Sequence, residues 1–302
     1  MDQKRLPVLV TGGAGYIGSH TVLALRDAGW PVAVIDDLST GFRWAVPDDV
    51  PFYEGDVGNQ ALVWTIVAEQ GIRAVMHFAG SVIVPESVAN PLKYYGNNTA
   101  KSRALIEAAV VANVPHFIFS STAAVYGVPS DEPVTEDYPR APANPYGMSK
   151  LMTELMLADV AAAYPINYCA LRYFNVAAAD PRGRAGQSTL GATSLIKIAT
   201  EVAAGKRPAL EIHLLVGIGD QISEVFFQLH PANLFQDGHD PIGHLRLLNL
   251  GFLQKRHRGV AIVDELPADR LDDAFILVAE EPNQCTDLAF VHKHDATPVP
   301  SA

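Results

Sequence analysis

Tyr146 and Lys150 stand four residues apart in Pro145-Tyr-Gly-Met-Ser-Lys-Leu151. On a helix that spacing puts both side chains on one face. An ammonium beside a phenol favours the phenolate and lowers the tyrosine pKa towards neutrality, which makes a general acid/base. Alone, the pair also fits an ordinary aromatic–aliphatic contact. Its setting favours chemistry. Asn144-Pro145 suits a loop ending at a helix start. Upstream, Phe117-Ile-Phe-Ser-Ser-Thr122 reads as a strand ending in three hydroxyl side chains. Ligands of open α/β sheets bind outside the carboxyl ends of strands, so Ser120, Ser121 and Thr122 are expected to face one. The plainer reading of Thr122 is a hydroxyl that bonds only the local backbone.

A second constellation opens the chain. Val8-Leu-Val-Thr11 is an apolar strand that runs into Gly12, Gly13, Gly15 and Gly18, and a helical pattern follows. Such glycines permit a tight turn, let the backbone approach a pyrophosphate and let the helix pack close to the strand. The helix start then offers free N–H groups and a positive dipole end to phosphates. Asp36 closes a second strand, Val32–Asp36, about 20 residues later, where a ribose-binding acid is expected. Asp37 follows it, and two carboxylates repel a 2′-phosphate. The expected cofactor is therefore NAD, not NADP.

These residues need a scaffold that brings strand ends together. Strands are expected at Val8–Thr11, Val32–Asp36, Phe52–Glu54, Ala74–Phe78, His116–Ser120 and Tyr168–Arg172, and helices at Ser19–Ala28, Gln60–Gln70, Asn98–Asn113 and Tyr146–Tyr164. Near-continuous apolar strands in βα alternation predict an α/β fold, a doubly wound parallel sheet of Rossmann type covered on both faces. The pattern divides the chain into an NAD-binding domain over residues 1–175 and a smaller C-terminal substrate region over 176–302. Beyond Pro208, Gly217, Gly219, Pro231, Gly238, Pro241 and Gly243 interrupt the periodicity.

Composition narrows the partners. The 302 residues are 49% hydrophobic, enough for a substantial core, and the net charge is -11. That balance argues against nucleic acid or an anionic membrane surface. Two cysteines, Cys169 and Cys285, suit a reducing compartment. With no signal-peptide pattern and no apolar run of membrane length, a cytoplasmic enzyme is expected. His239, His244, His292 and His294 lack a recognised ligand spacing, so no metal site is expected. The acidic run Asp264-Glu265 with Asp269, Asp272 and Asp273 reads as a solvated face.

Residues from about Leu6 to Ile212 resemble the UDP-glucose 4-epimerases of the extended short-chain dehydrogenase/reductase family. The resemblance rests on Thr11-Gly-Gly-Ala-Gly-Tyr-Ile-Gly-Ser-His20, Gly55-Asp56, His77-Phe-Ala-Gly80, Pro85-Glu-Ser87, Asn97-Asn-Thr99, Ser120-Ser-Thr122, Val125-Tyr-Gly127, the Tyr146 segment, Leu171-Arg-Tyr-Phe-Asn-Val176 and Gly183-Arg-Ala-Gly-Gln-Ser-Thr189. It implies NAD-dependent 4-epimerisation of a UDP-hexose, such as UDP-glucose and UDP-galactose, through a 4-keto intermediate. It implies that Gly12, Gly15, Tyr16, Ile17 and Gly18 form the cofactor turn, that Asp36 and Asp37 meet the adenosine ribose, and that Asp56 and Val57 flank the adenine. Phe78, Ala79, Gly80, Asn98, Ser120 and Tyr173 complete the cofactor site. Tyr146 takes the proton of the sugar 4-hydroxyl, Lys150 binds the nicotinamide ribose and tunes Tyr146, and Thr122 bonds the reacting oxygen. Phe174 and Asn175 border the sugar. A homodimer is implied through Asn98–Asn113 and Tyr146–Tyr164.

The resemblance ends where the family continues with a Val-Arg-Asp-Tyr-Ile-His-Val segment whose arginine contacts the UDP diphosphate. Here the chain reads Gln221-Ile-Ser-Glu-Val225, and Gly191 stands where an asparagine is usual. Arg246, Arg256 and Arg258 are candidate replacements. The segment after about Ile212 is expected to pack poorly and to bind UDP-sugar weakly. Two rivals follow. One is an NAD-binding homologue without epimerase activity. The other is a nucleotide-sugar 4,6-dehydratase, disfavoured because Ala123 and Ala124 stand where such enzymes carry Asp-Glu.

Overall fold

Six short apolar runs assemble into one parallel sheet in a computed structural model of the chain. It describes residues 5–129, 134–177, 179–192, 194–218 and 221–229 and the strands 252–256, 259–263, 276–278 and 287–289, with side chains up to residue 209. The strands are β1 (Val8–Thr11), β2 (Val32–Asp36), β3 (Phe52–Glu54), β4 (Ala74–His77), β5 (His116–Ser120) and β6 (Asn167–Leu171), in spatial order β3-β2-β1-β4-β5-β6. All neighbours are parallel, and Thr11 lies level with Ile35 on one side and His77 on the other. The order reverses between β1 and β4, so the crevice for a ligand opens at the carboxyl ends of these two strands.

Alternation along the strands builds two cores. Leu9, Ala33, Ile35, Val75, Phe117 and Phe119 face one layer, with Val63, Ile66, Leu105, Ile106 and Leu157 from the helices that cover it. Val8, Val10, Val34 and Ala74 face the other, against Val22. Cover on both faces is as the pattern predicts for the central strands. It does not extend to β6, the edge strand, where Tyr168 and Leu171 are exposed.

The helices are α1 (Tyr16–Asp27), α2 (Gln60–Gln70), α3 (Val84–Ala89), α4 (Pro91–Tyr94), α5 (Lys101–Val111) and α6 (Pro145–Ala163). α1 begins before Ser19 because Gly15, extended at φ -77°, already serves as its cap. Asn59 and Asn144 cap α2 and α6 by accepting from Leu62 N–H at 3.2 Å and Gly147 N–H at 2.9 Å. The helix expected from Asn98 instead continues from α4 through a π turn at Tyr95–Ala100 into α5. After β6, Arg184 bonds Asp180 and reaches Asp27 at the end of α1 with two bonds of 2.9 and 2.8 Å.

The chain divides into two units, Met1–Ala192 and Thr193–Ala302. In the second, helix α7 (Leu195–Ala203) buries Ala199 and Val202. Strands β7 (Leu210–Ile218) and β8 (Gln221–Leu229) form an antiparallel pair, as do β9 (Phe252–Arg256) with β10 (Gly259–Val263) and β11 (Ile276–Val278) with β12 (Asp287–Ala289). The expectations for Arg246, Arg258, the four late histidines and the acidic run lie outside the described residues, as does the Arg256 side chain. Among the described residues no helix is long and apolar enough to cross a membrane, and no cluster of metal-binding side chains occurs.

His77, at the end of β4, is 1% exposed between Thr11 Oγ1 at 2.6 Å and Ser102 Oγ at 2.8 Å. Ser102 spends its own proton on the Asn98 carbonyl. The ring must therefore carry its proton on Nε2 and accept from Thr11 at Nδ1. Burial, with Lys150 nearby, pushes His77 from 6.5 down to about 3. The folded chain stays neutral there while the unfolded chain protonates, so stability falls as pH drops from 6.5 towards 3, by up to about 1.4 kcal/mol per unit. Urea denaturation across that range should show a shallower pH slope for His77→Gln than for wild type. Parallel slopes would refute the assignment.

Candidate functional site

The glycine turn closes at the sheet's switch point. Gly12 has φ +67°, and a Cβ on it would lie 2.6 Å from the Ala79 nitrogen. A Cβ on Gly18 would lie 2.0 Å from the Gly12 carbonyl oxygen. Neither position admits a side chain, so the turn lies against the loop after β4 and α1 lies against the turn. No side chain caps α1 and no acidic residue occupies its first turn. The helix start, where Tyr16 and Ile17 lie, carries the positive end of the helix dipole.

Asp36 is buried at the end of β2. Its carboxylate accepts from Ala14 N–H at 2.9 Å and Leu38 N–H at 2.8 Å. Burial raises its pKa, and those backbone donors oppose the rise. Asp36 thus braces the glycine turn, a role the sequence pattern does not reveal. Asp37 is exposed and accepts from Ser39 N–H and Oγ. Burial would raise Asp56 too, but Lys101, 2.5 Å away, and Gly58 N–H leave it lowered. Val57 packs into the apolar core.

The loop after β4 carries Phe78, Ala79 and Gly80. Phe78 N–H donates to the Thr11 carbonyl at 3.0 Å. Asn98, 1% exposed in the π turn, accepts from Ser81 N–H at 2.7 Å and donates to the Ser81 carbonyl and Ser149 Oγ, each at 3.0 Å. A π turn brings one extra residue into the helix and often marks a functional site. Here it aims Asn98 at the loop.

Thr122 Oγ1 accepts from Ala124 N–H at 3.2 Å and lies near enough to Tyr146 to lower its phenol pKa. Lys150, 2% exposed, donates to the Ser120 carbonyl at 3.0 Å and stands 5.0 Å over the Phe119 ring. The Ser120 hydroxyl bonds the Tyr173 hydroxyl. Tyr94, fully buried, meets Tyr146 edge-on at 6.4 Å. Tyr146, Lys150, Thr122, Ser120 and Tyr173 therefore form one cluster, with Gly80 beside Lys150. Phe174 and Asn175 follow Tyr173 on an exposed segment.

The electrostatics correct one expectation. Burial pushes the Tyr146 phenol up to about 12, with Thr122 opposing and Tyr173 adding to the rise. Burial brings Lys150 down to about 8. The ammonium is aimed at a carbonyl, not at the phenol, so it does not bring Tyr146 towards neutrality. Two further residues escape the sequence reading. Glu154, 2% exposed, receives Arg172 in a bidentate pair and Ser121 as a donor. The available signal is position: Glu154 continues the Tyr146/Lys150 helix face by one more turn, and Arg172 precedes Tyr173.

A parallel sheet with a glycine turn at its switch point and a Tyr/Lys face at the next strand end defines a nucleotide-binding α/β protein. The family model described as the NAD dependent epimerase/dehydratase family matches residues 8–221, and the chain belongs to that family. It is 57% identical over 205 residues to a UDP-glucose 4-epimerase of Azospirillum brasilense, covering 68% of this chain and 59% of that protein. A crystal structure of the Brucella ovis UDP-glucose 4-epimerase in complex with NAD aligns with TM-score 0.68 and 43% identity, covering 72% of this chain and 67% of the other. The Bifidobacterium longum enzyme in complex with NAD+ and UDP aligns with TM-score 0.63 and 39% identity, over 67% and 63%. The chain spans about three fifths of the length of such curated relatives.

An ordinary tyrosine is half ionised at pH 10. With the phenol pushed up to about 12, only about 1% of Tyr146 should be ionised there. Spectrophotometric titration of the cofactor-free chain against Tyr146→Phe should show no difference in phenolate absorbance at that pH. A difference of about half a tyrosine's phenolate absorbance or more would overturn the burial argument.

Proposed function

We propose that this chain binds NAD and interconverts the 4-epimers of a UDP-hexose, UDP-glucose and UDP-galactose, through a 4-keto sugar. The observation that carries the reading is the meeting of Thr122 with Tyr146, and of Ser120 with Lys150, beside the glycine turn. The turn fits a dinucleotide: it leaves no room for a side chain at Gly12 or Gly18 and ends in an uncapped helix start. In this reading residues 1–175 serve the cofactor and 176–302 the sugar nucleotide.

NAD, when bound, supplies a cationic ring that takes a hydride and returns it. The chain's own residues handle the proton and the geometry. With the positive charge of bound NAD favouring its phenolate, Tyr146 Oη would accept the proton of the sugar 4-hydroxyl and give it back. Thr122 Oγ1 holds the reacting oxygen. Lys150 Nζ, anchored on Ser120, holds the nicotinamide ribose. Asp36, braced by Ala14 and Leu38, and Asp37 meet the adenosine ribose, while Asp56 and Val57 lie at the adenine. Phe174 and Asn175 border the sugar. The chain pairs as a homodimer over α5 and α6, where Val111, Met152 and Leu155 are exposed, and works in the cytoplasm.

The dehydratase reading has no proton donor: Ala123 and Ala124 open a 3-10 turn directly after Thr122. The second reading, NAD binding without turnover, is favoured by Gln221-Ile-Ser-Glu-Val225 standing where the resemblance implies the diphosphate-binding arginine segment. Incubating the purified chain and NAD with UDP-galactose separates the two: UDP-glucose forms under the first, and UDP-sugar binds unchanged under the second.

Tyr146→Phe keeps the ring packing and removes the acid/base group. Epimerisation should fall by about a hundredfold or more, with NAD binding retained, and near-normal turnover would place the base elsewhere. Mass spectrometry of nucleotide bound to the purified chain should find NAD and no NADP. Asp36→Ala should both weaken NAD and lower the melting temperature, because it removes the brace of the turn. NADP retained at the site would contradict the proposed role of Asp36 and Asp37.

A further inference from the structure

Three consecutive residues at the end of β5 reach three successive turns of α6. The Ser120 carbonyl takes Lys150, the Thr122 side chain lies beside Tyr146, and Ser121 Oγ donates to Glu154 Oε1. The first two contacts belong to the chemistry proposed above. The third has no part in it, yet it is the most deeply buried: Ser121 is 1% and Glu154 2% exposed.

Arg172 completes the arrangement. Its Nε donates to Glu154 Oε1 at 3.0 Å and Oε2 at 3.1 Å, and its Nη2 donates to Oε2 at 2.7 Å. Its Nη1 donates to the Tyr126 hydroxyl at 2.8 Å. Arg172 also joins β6 to Tyr173, whose hydroxyl returns to Ser120. A closed ring thus links α6, the end of β5 and the end of β6. Charged groups this buried persist only when paired, and a bidentate pair fixes direction as well as distance. A guanidinium has donors only, so an amide in place of the carboxylate would set donor against donor.

We propose that Glu154 and Arg172 are positioning residues that hold Thr122, Tyr146, Lys150 and Tyr173 in one mutual arrangement, a role that rests on the epimerase reading. They act through Ser121 and the helix, and neither touches the sugar.

The test uses the full chain loaded with NAD and UDP-galactose as substrate. Ser121→Ala removes one hydroxyl, Glu154→Gln the charge, and Arg172→Lys the fork while keeping the charge. Misplacing reacting groups costs up to about a hundredfold. We expect kcat to fall about tenfold for Ser121→Ala and about a hundredfold for Glu154→Gln and Arg172→Lys. KM should move less than about threefold, and bound NAD should be unchanged. Amide exchange should quicken at residues 120–124, 146–154 and 172–175 and nowhere else. Unchanged kcat in Ser121→Ala and Arg172→Lys overturns the proposal, as does faster exchange spread evenly over the chain. If Glu154→Gln does not fold, Ser121→Ala decides. If wild type converts no UDP-hexose, the epimerase reading fails by itself. Exchange then decides the positioning role: local quickening in Ser121→Ala sustains it, and uniform or absent change ends it.

Discussion

A lysine ammonium at 2% exposure must find an acceptor or lose its proton, and Lys150 feels both demands. Its acceptor is a backbone carbonyl, Ser120, at the last residue of β5. A carbonyl cannot swing aside as a side chain can, so this bond fixes how far α6 has advanced along the sheet. Other close fits depend on that setting. A Cβ on Gly80 would lie 3.4 Å from the ammonium and 3.0 Å from Asn98 Oδ1. The loop after β4 can pass there only as bare backbone. The same loop leaves no space above Gly12, so it borders both the cradle at β1 and the cluster at β5.

The carboxyl edge of the sheet is consequently polar and dry at once. Thr11, His77, Asn98, Ser102, Ser149 and Thr153 are all at most 1% exposed, and each has a partner: Thr11 with His77, His77 with Ser102, Asn98 with Ser149, Thr153 with the Asn98 carbonyl. A network of this kind is costly if one member is lost and rigid if none is. Rigidity of this kind holds the side chains at the strand ends in fixed relation to one another.

Much of this was legible in the residues, and what was hidden has a physical cause. β1, β2, β3 and β5 run as their apolar segments predict, because buried parallel strands are continuous in hydrophobicity and end at turn residues. The π turn at Tyr95–Ala100 left no trace in composition, since it differs from an α-helix only in which carbonyl each N–H meets. Asp36 was visible as an acid at a strand end, but its hold on Ala14 was not, because that contact depends on the shape of the turn. The Tyr146–Lys150 spacing did place both groups on one face. It could not reveal that burial would outweigh their mutual influence, for that depends on what α6 packs against. Glu154 is hidden in the sequence because its burial depends on Ser121 and Arg172, which only the folded strand ends bring to it.

The pairing of Arg184 with Asp27 joins residues 157 positions apart. During synthesis at about 5–20 residues per second, roughly 10–30 s separate the emergence of the two partners. β1, α1 and β2 can form in that interval, but the end of α1 keeps an unanswered carboxylate until the segment after β6 has left the ribosome. The end of α1 thus gains its contact with the segment after β6 only when the six strands have been synthesised.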